Sequence, residues 1–154
     1  MNPTLIPMAM HRAAEAVPFA TIAEGLRVQV LHADIEAGFW VTRMRADPGL
    51  TLQRHKHTGE VFAFTMAGSW QYLEYPEINT AGSYLYEPAG SVHTLHVPMN
   101  NIGVTDVWFV IHGALLYLDA QQKVESVSDA SSALERYLTA CRDAGFAPPD
   151  VMMP

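Results

Sequence analysis

The sequence predicts an all-β fold, a sandwich or barrel carrying a short C-terminal α-helix, and three observations point to it. Short runs of strand-forming residues recur between Pro18 and Asp119, punctuated by Gly, Pro and Asp turn signals. The period then changes, because Leu134, Tyr137, Leu138 and Cys141 form a stripe at helical spacing. Finally, 154 residues of which 49% are hydrophobic suit one domain with one ample core.

Residues 1–17 read as an N-terminal extension interrupted by Pro3 and Pro7. Strands follow at 18–23 and 26–33, on either side of Glu24-Gly25. Residues 39–46 alternate cleanly, with Trp40, Thr42 and Met44 on one face and Phe39, Val41 and Arg43 on the other. Asp47-Pro48-Gly49 is a turn signal, and residues 51–57 alternate again. Residues 61–67 read as a buried strand ended by Gly68, and 70–75 as the next strand. A loop is expected over 76–81, then strands at 84–87, 92–97, 105–112 and 114–119. The helix falls within 128–145, with Ser132 and Glu135 as a capping box and Gly145 as its stop; residues 146–154 read as a tail. On the strand at 61–66, Phe62, Phe64 and Met66 share the face away from the expected interior, and both faces of 107–111 are apolar. Strands of that kind need cover on two sides, which predicts a homodimer or homotetramer.

Composition excludes several classes. A net charge of −7 argues against nucleic-acid binding, which requires cations to neutralise phosphates. No apolar run approaches a membrane span. The opening residues lack a basic leader before an apolar stretch, and the single Cys141 cannot form an internal disulfide. The expected location is therefore the cytoplasm, and Cys141, on the helical stripe, is read as a small core hydrophobe.

The chemistry lies in His55-Lys56-His57 and in His93, 38 residues after His55. Side chains two apart on a strand share a face, so His55 and His57 aim the same way, about 6–7 Å apart along the chain, while Arg54 and Lys56 face oppositely. A third imidazole from another strand would complete a three-ligand face and leave metal positions open for substrate. His-x-His alone is weak, since 7 histidines in 154 residues produce such a pair by chance in about one chain in three.

Its surroundings are more specific. Gly49, His55, His57 and Gly68 match the first motif of the cupin superfamily in spacing, and Gly82, Pro88, Gly90 and His93 match the second. The chain thus resembles the cupins, whose fold is a jelly roll or double-stranded β-helix. Two positions depart from the pattern: Val97 replaces the usual Asn, and Val61 stands where the usual glutamate ligand would fall. Glu60 lies one residue earlier; a bulge at Gly59 would turn it inward as a further ligand, whereas a regular strand leaves it a solvated edge carboxylate.

Three neutral imidazoles leave a divalent metal its full charge, which favours an anionic oxygen chelate such as the enolate of a β-diketone or a deprotonated α-hydroxyketone. The pattern is most similar to the three-histidine cupin dioxygenases of the 2,4'-dihydroxyacetophenone dioxygenase group. That resemblance implies a non-haem Fe(II) enzyme that splits a carbon–carbon bond of a ketone with O2, giving two carboxylic acids or an acid and an aldehyde. Zn, Mn, Ni and Cu suit imidazole as well. A non-oxidative metal-dependent lyase or isomerase, and a metal-dependent sensor or ligand-binding module, are the alternatives. No catalytic side chain is assigned beyond the metal ligands.

For the substrate pocket, Trp40, Tyr72 and Trp108 are the candidate aromatic walls, and Gln53, in step with His55, a candidate ligand donor. His112 reads as a structural histidine, with a fourth-ligand role as the sharper option. His96 falls on the opposite face from His93; His11 and His32 read as exposed.

Overall fold

A computed structural model describes residues 6–154, so the first five residues of the expected N-terminal extension lie outside the described part. The strands are β1 (Ala20–Ala23), β2 (Leu26–Asp34), β3 (Phe39–Ala46), β4 (His55–His57), β5 (Val61–Ala67), β6 (Ser69–Tyr72) and β7 (Ile78–Thr80), followed by β8 (Tyr84–Glu87), β9 (Val92–His93), β10 (Leu95–His96), β11 (Thr105–His112), β12 (Leu115–Leu118) and β13 (Val124–Ser128). A 3-10 turn at Ala14–Ala16 precedes them and helix α1 (Ala130–Asp143) follows.

They form three antiparallel sheets, ordered β1-β2-β3-β11-β5-β8, β13-β12-β4-β9 and β10-β6-β7. The inward side chains make one core, including Val30, Trp40, Met44, Val61, Ala63, Trp70, Val107, Phe109 and Ile111. This is the cupin jelly roll. Gly68 carries the chain from β5 into β6 with φ of +73°, and a Cβ there would come within 2.7 Å of the Thr105 Cα. Only glycine fits both the conformation and the space.

Four expectations need correction. The 76–81 segment is not wholly loop, because Ile78–Thr80 pairs with β6 through the register Ser69↔Thr80. Val124–Ser128 is a strand on β12, although its first four residues are exposed and offer no alternating pattern to read. The helix is capped three residues earlier than expected. Asp129 accepts from the Ser132 N–H at 2.9 Å, and the Ser132 hydroxyl accepts from the Asp129 N–H at 2.8 Å, so Asp129 and Ser132 form the capping box. The C-terminal tail is tied down: Met152 exchanges backbone hydrogen bonds with Leu31 and Ala33 on β2, and Asp150 pairs with Arg12 at 2.9 Å.

The outer face of the six-stranded sheet explains why Trp108 points away from the interior. Along β11, Val107, Phe109 and Ile111 are buried, so Asp106, Trp108 and Val110 take the other side. There the Asp106 carboxylate accepts from Arg43 Nε and Nη2 at 2.7 and 2.8 Å and from Arg45 Nε at 3.0 Å. The Arg43 guanidinium also lies 5.7 Å from the Trp108 ring, and Arg45 stands 4.0 Å over Phe19. Burial pushes the Asp106 carboxyl up, but the two guanidinium groups outweigh it and hold the group below its ordinary value. Replacing Asp106 by Asn is therefore expected to cost about 2 kcal/mol in urea denaturation at pH 7. Because the folded carboxyl titrates below the unfolded one, this stability is present above an unfolded value of about 3.9. It fades as the pH falls through the folded value, and the gap between wild type and Asp106→Asn should narrow in acid. A gap unchanged in acid would remove the ion pair as its cause.

Candidate metal centre

β4 and β9 bring the three imidazoles together. They pair antiparallel with His55 directly opposite His93, and His57 follows His55 on the same face. Lys56 between them is exposed, while His55, His57 and His93 are 5%, 3% and 1% exposed. One nitrogen from each ring lies within 4.8 Å of the others, a separation that one ion can bridge. Ring centroids are 4.9–5.0 Å apart for all three pairs.

The histidines do not stand alone. Glu87, the last residue of β8, is 3% exposed, and its Oε2 lies 3.0 Å from His57 Nε2 and 3.3 Å from His93 Nε2. The other carboxylate oxygen accepts from the Tyr72 hydroxyl. The expectation of a cluster with no acidic partner is corrected. Glu87 is not among the residues the sequence reading singles out, yet its parity with Leu85 on β8, and its place before Pro88 in the second motif, point it inward.

These contacts set the electrostatics. Burial pushes His55 down to about 4, more than its bond to the Gln53 carbonyl at 2.9 Å raises it. The ring is thus neutral and ready to donate a lone pair. Burial would raise Glu87, but His57 and His93 pull it down to about 2, so it is a carboxylate. Burial, then the Glu87 charge, push the Tyr72 phenol well up, so it remains a donor. Among the described residues, His57 Nε2, His93 Nε2 and Glu87 Oε2 are buried without a well-angled hydrogen bond. Close-set buried polar atoms without well-made partners are costly unless something binds them. A divalent cation does so, and the donor set of three imidazoles with one nearby carboxylate fits it.

His55, His57 and Glu87 form part of the wall of a cavity of about 340 Å³, with His93 behind them. Val28, Val30, Trp40, Met44, Phe109 and Ile111 line it from the large sheet, and Leu52, Tyr72, Leu95, Leu115 and Tyr117 from the side of the histidines. Ser128, Ala133, Arg136 and Tyr137 line one end of it from β13 and α1. The cavity is largely apolar with few polar groups, as small-molecule sites are. Trp40 and Tyr72 thus reach it, and Tyr72 also stacks on His93 at 3.7 Å. Gln53 reaches it too, although its amide nitrogen already donates to the Leu118 carbonyl at 3.0 Å and to Glu125 at 2.6 Å.

Trp108 does not line it, for the reason of strand parity above. Glu60 is exposed and accepts from the Tyr86 hydroxyl at 3.1 Å. Gly59 makes no bulge that turns it inward; the strand simply breaks there, and the glycine packs so closely on the His112 carbonyl that a Cβ would collide with it. His112 is half-buried beside Phe39 and Phe62, away from the cluster. His96 faces Thr51, whose hydroxyl lies 2.8 Å from its Nδ1. His32 packs edge-on against Phe39 and is half-buried.

A jelly-roll barrel with a buried histidine trio on its inner wall is the arrangement of a metal-binding cupin. Residues 8–116 match the ChrR Cupin-like domain, and the chain belongs to that family. It is 30% identical to a Ralstonia eutropha JMP134 protein of unknown function with a cupin-like fold, over 96% of each chain and with a TM-score of 0.82. An acetylacetone dioxygenase from Acinetobacter johnsonii shares the fold at 18% identity, over 91% of this chain and 97% of that one, with a TM-score of 0.77. The anti-sigma factor ChrR of Rhodobacter sphaeroides, solved in complex with SigE, shares it at 16% identity, over 65% of this chain and 51% of that one, with a TM-score of 0.53. No curated protein matches the chain. No helix among the described residues is long and apolar enough to cross a membrane.

Proposed function

We propose that the protein is a non-haem Fe(II)-dependent dioxygenase that cleaves a carbon–carbon bond of an α-hydroxyketone or β-diketone. The observation that carries this reading is the convergence of three buried imidazoles, two of them with unpartnered nitrogens, beside a largely apolar cavity that His55 and His57 line. His55, His57 and His93 would hold the iron, which supplies Lewis acidity and reactivity toward O2. Glu87 adds one negative charge, reducing the net charge of the site from +2 to +1. A monoanionic enolate or alkoxide neutralises the remainder, so the site selects ketones that give up a proton on binding. Tyr72 fixes the Glu87 carboxylate, and Trp40, Phe109 and Ile111 keep water from the reacting carbon. The dioxygenase that shares this fold supports the reading, but the same scaffold also serves an anti-sigma factor, so the weight rests on the site.

Metal analysis of freshly purified protein, followed by oxygen-electrode assays on hydroxyacetophenones and β-diketones, tests it. Fe(II)-loaded protein should consume about one O2 per substrate cleaved, and Zn(II)-loaded protein none. Turnover that is independent of O2 would instead make this a metal-dependent lyase or isomerase. Saturable binding without turnover would make it a sensor or binding module.

We also propose that a second copy covers the outer face around β5 and β8, where Phe64, Met66, Tyr84 and Tyr86 are exposed at a sheet edge. Size-exclusion chromatography at micromolar concentration should show a homodimer or homotetramer, and Phe64→Lys should shift it toward monomer. A wild-type monomer at that concentration contradicts this.

A further inference from the structure

The cavity has one end that the histidines and Glu87 do not use. β13 and α1 build it, and both lie beyond residue 116, where the match to the family ends. Arg136 lies there, in a chain whose net charge is −7. It is the one Lys or Arg side chain among the cavity's lining residues. It makes no ion pair among the described residues. Tyr117 connects this end to the metal ligands. It pairs with His55 in register across β12 and β4, and its ring lies 5.8 Å from the His55 ring. On its other side the Tyr117 phenol, which burial pushes up, is pulled back by the adjacent Arg136 guanidinium. The order along the wall is therefore histidine cluster, Tyr117, Arg136. The cavity is polarised, with a carboxylate at one end, a permanent cation at the other, and apolar sides between them.

We propose that Arg136 is a specificity-determining residue that binds a carboxylate on the far end of the substrate, with Tyr117 lining the path between that group and the chelating ketone. This rests on the chelating-ketone reading above and narrows it to keto compounds with an acidic tail. A planar guanidinium matches a carboxylate with two parallel hydrogen bonds, and at the mouth of the cavity it can hold a tail whose ketone reaches inward. An amine or a neutral tail gains nothing from it.

Calorimetric titration under nitrogen of Zn(II)-loaded protein with 1-phenyl-1,3-butanedione and with its para-carboxylate derivative tests this without turnover. The carboxylate should bind about tenfold more tightly than the neutral diketone. Arg136→Met should abolish that preference by weakening the carboxylate alone, and Arg136→Lys should retain part of it. Arg136 is exposed on α1, so both variants are expected to keep the wild-type circular dichroism spectrum. Equal affinities in the wild type, failure of both probes to bind, or a preference that survives Arg136→Met would each overturn the assignment. Oxygen uptake separates the two readings. A preference that depends on Arg136 with no O2 consumption by Fe(II)-loaded protein leaves the carboxylate site standing and removes the dioxygenase. O2 consumption with no effect of Arg136→Met does the reverse.

Discussion

Replacing His93 by Ala is expected to lower bound metal from about one ion per chain to less than a tenth of that, while the barrel stays folded. His93 is 1% exposed and supplies the ligand from β9 that β4 cannot. Without it, two imidazoles remain, and each of them already faces other buried groups. The fold should survive because the ring leaves a limited void beside Tyr72, with a cost of about 2 kcal/mol, smaller than the stability of a typical domain. His55→Ala and His57→Ala should behave alike. Lys56→Ala, on the exposed side of the same strand, should change nothing. Metal content by emission spectroscopy, beside a far-ultraviolet circular dichroism spectrum, reads both quantities. Full metal retention in all three histidine variants would eliminate the site.

Changing Glu87 to Gln should weaken metal binding about 10- to 100-fold when measured by competition with a chelator. The amide keeps the size of the side chain and an oxygen for the Tyr72 hydroxyl, but it loses the charge that stands 3.0 Å from His57 and 3.3 Å from His93. Tyr72→Phe removes only the bond that orients the carboxylate, so its effect on affinity should be smaller, about tenfold at most. The order distinguishes two roles. If Glu87 serves only to satisfy the Tyr72 hydroxyl, Gln is a full replacement and affinity will not move.

The strands with regular alternation were legible because period-two patterning reports which face is buried: Phe39–Ala46 falls where the pattern places it, and of the expected 51–57 strand the His55–His57 end does, Thr51 keeping only an isolated bridge to His96. Val124–Ser128 carried no such signal, since both of its faces meet solvent until Ser128. Trp108 was unreadable for the opposite reason. With apolar residues on both faces of β11, parity cannot say which side is inward, and the Arg43–Asp106 pairing that settles it spans distant positions. The histidine trio was legible from spacing. The inward direction of Glu87 was legible from strand parity, but its meeting with His57 and His93 depends on how β8 sits in the fold, a non-local fact. The cap was ambiguous in sequence, because Asp129 with Ser132 and Ser132 with Glu135 both have capping-box spacing.

The pairing of His55 opposite His93 carries a mechanical consequence. A slip of one residue between β4 and β9 would turn either histidine out of the cluster. An ion gripped by both strands would therefore act as a staple, closing the stretch of chain between them and penalising every misaligned arrangement. Chelators should accordingly loosen this hairpin-like pair first, and proteases should find their earliest cuts in the segment that the staple encloses.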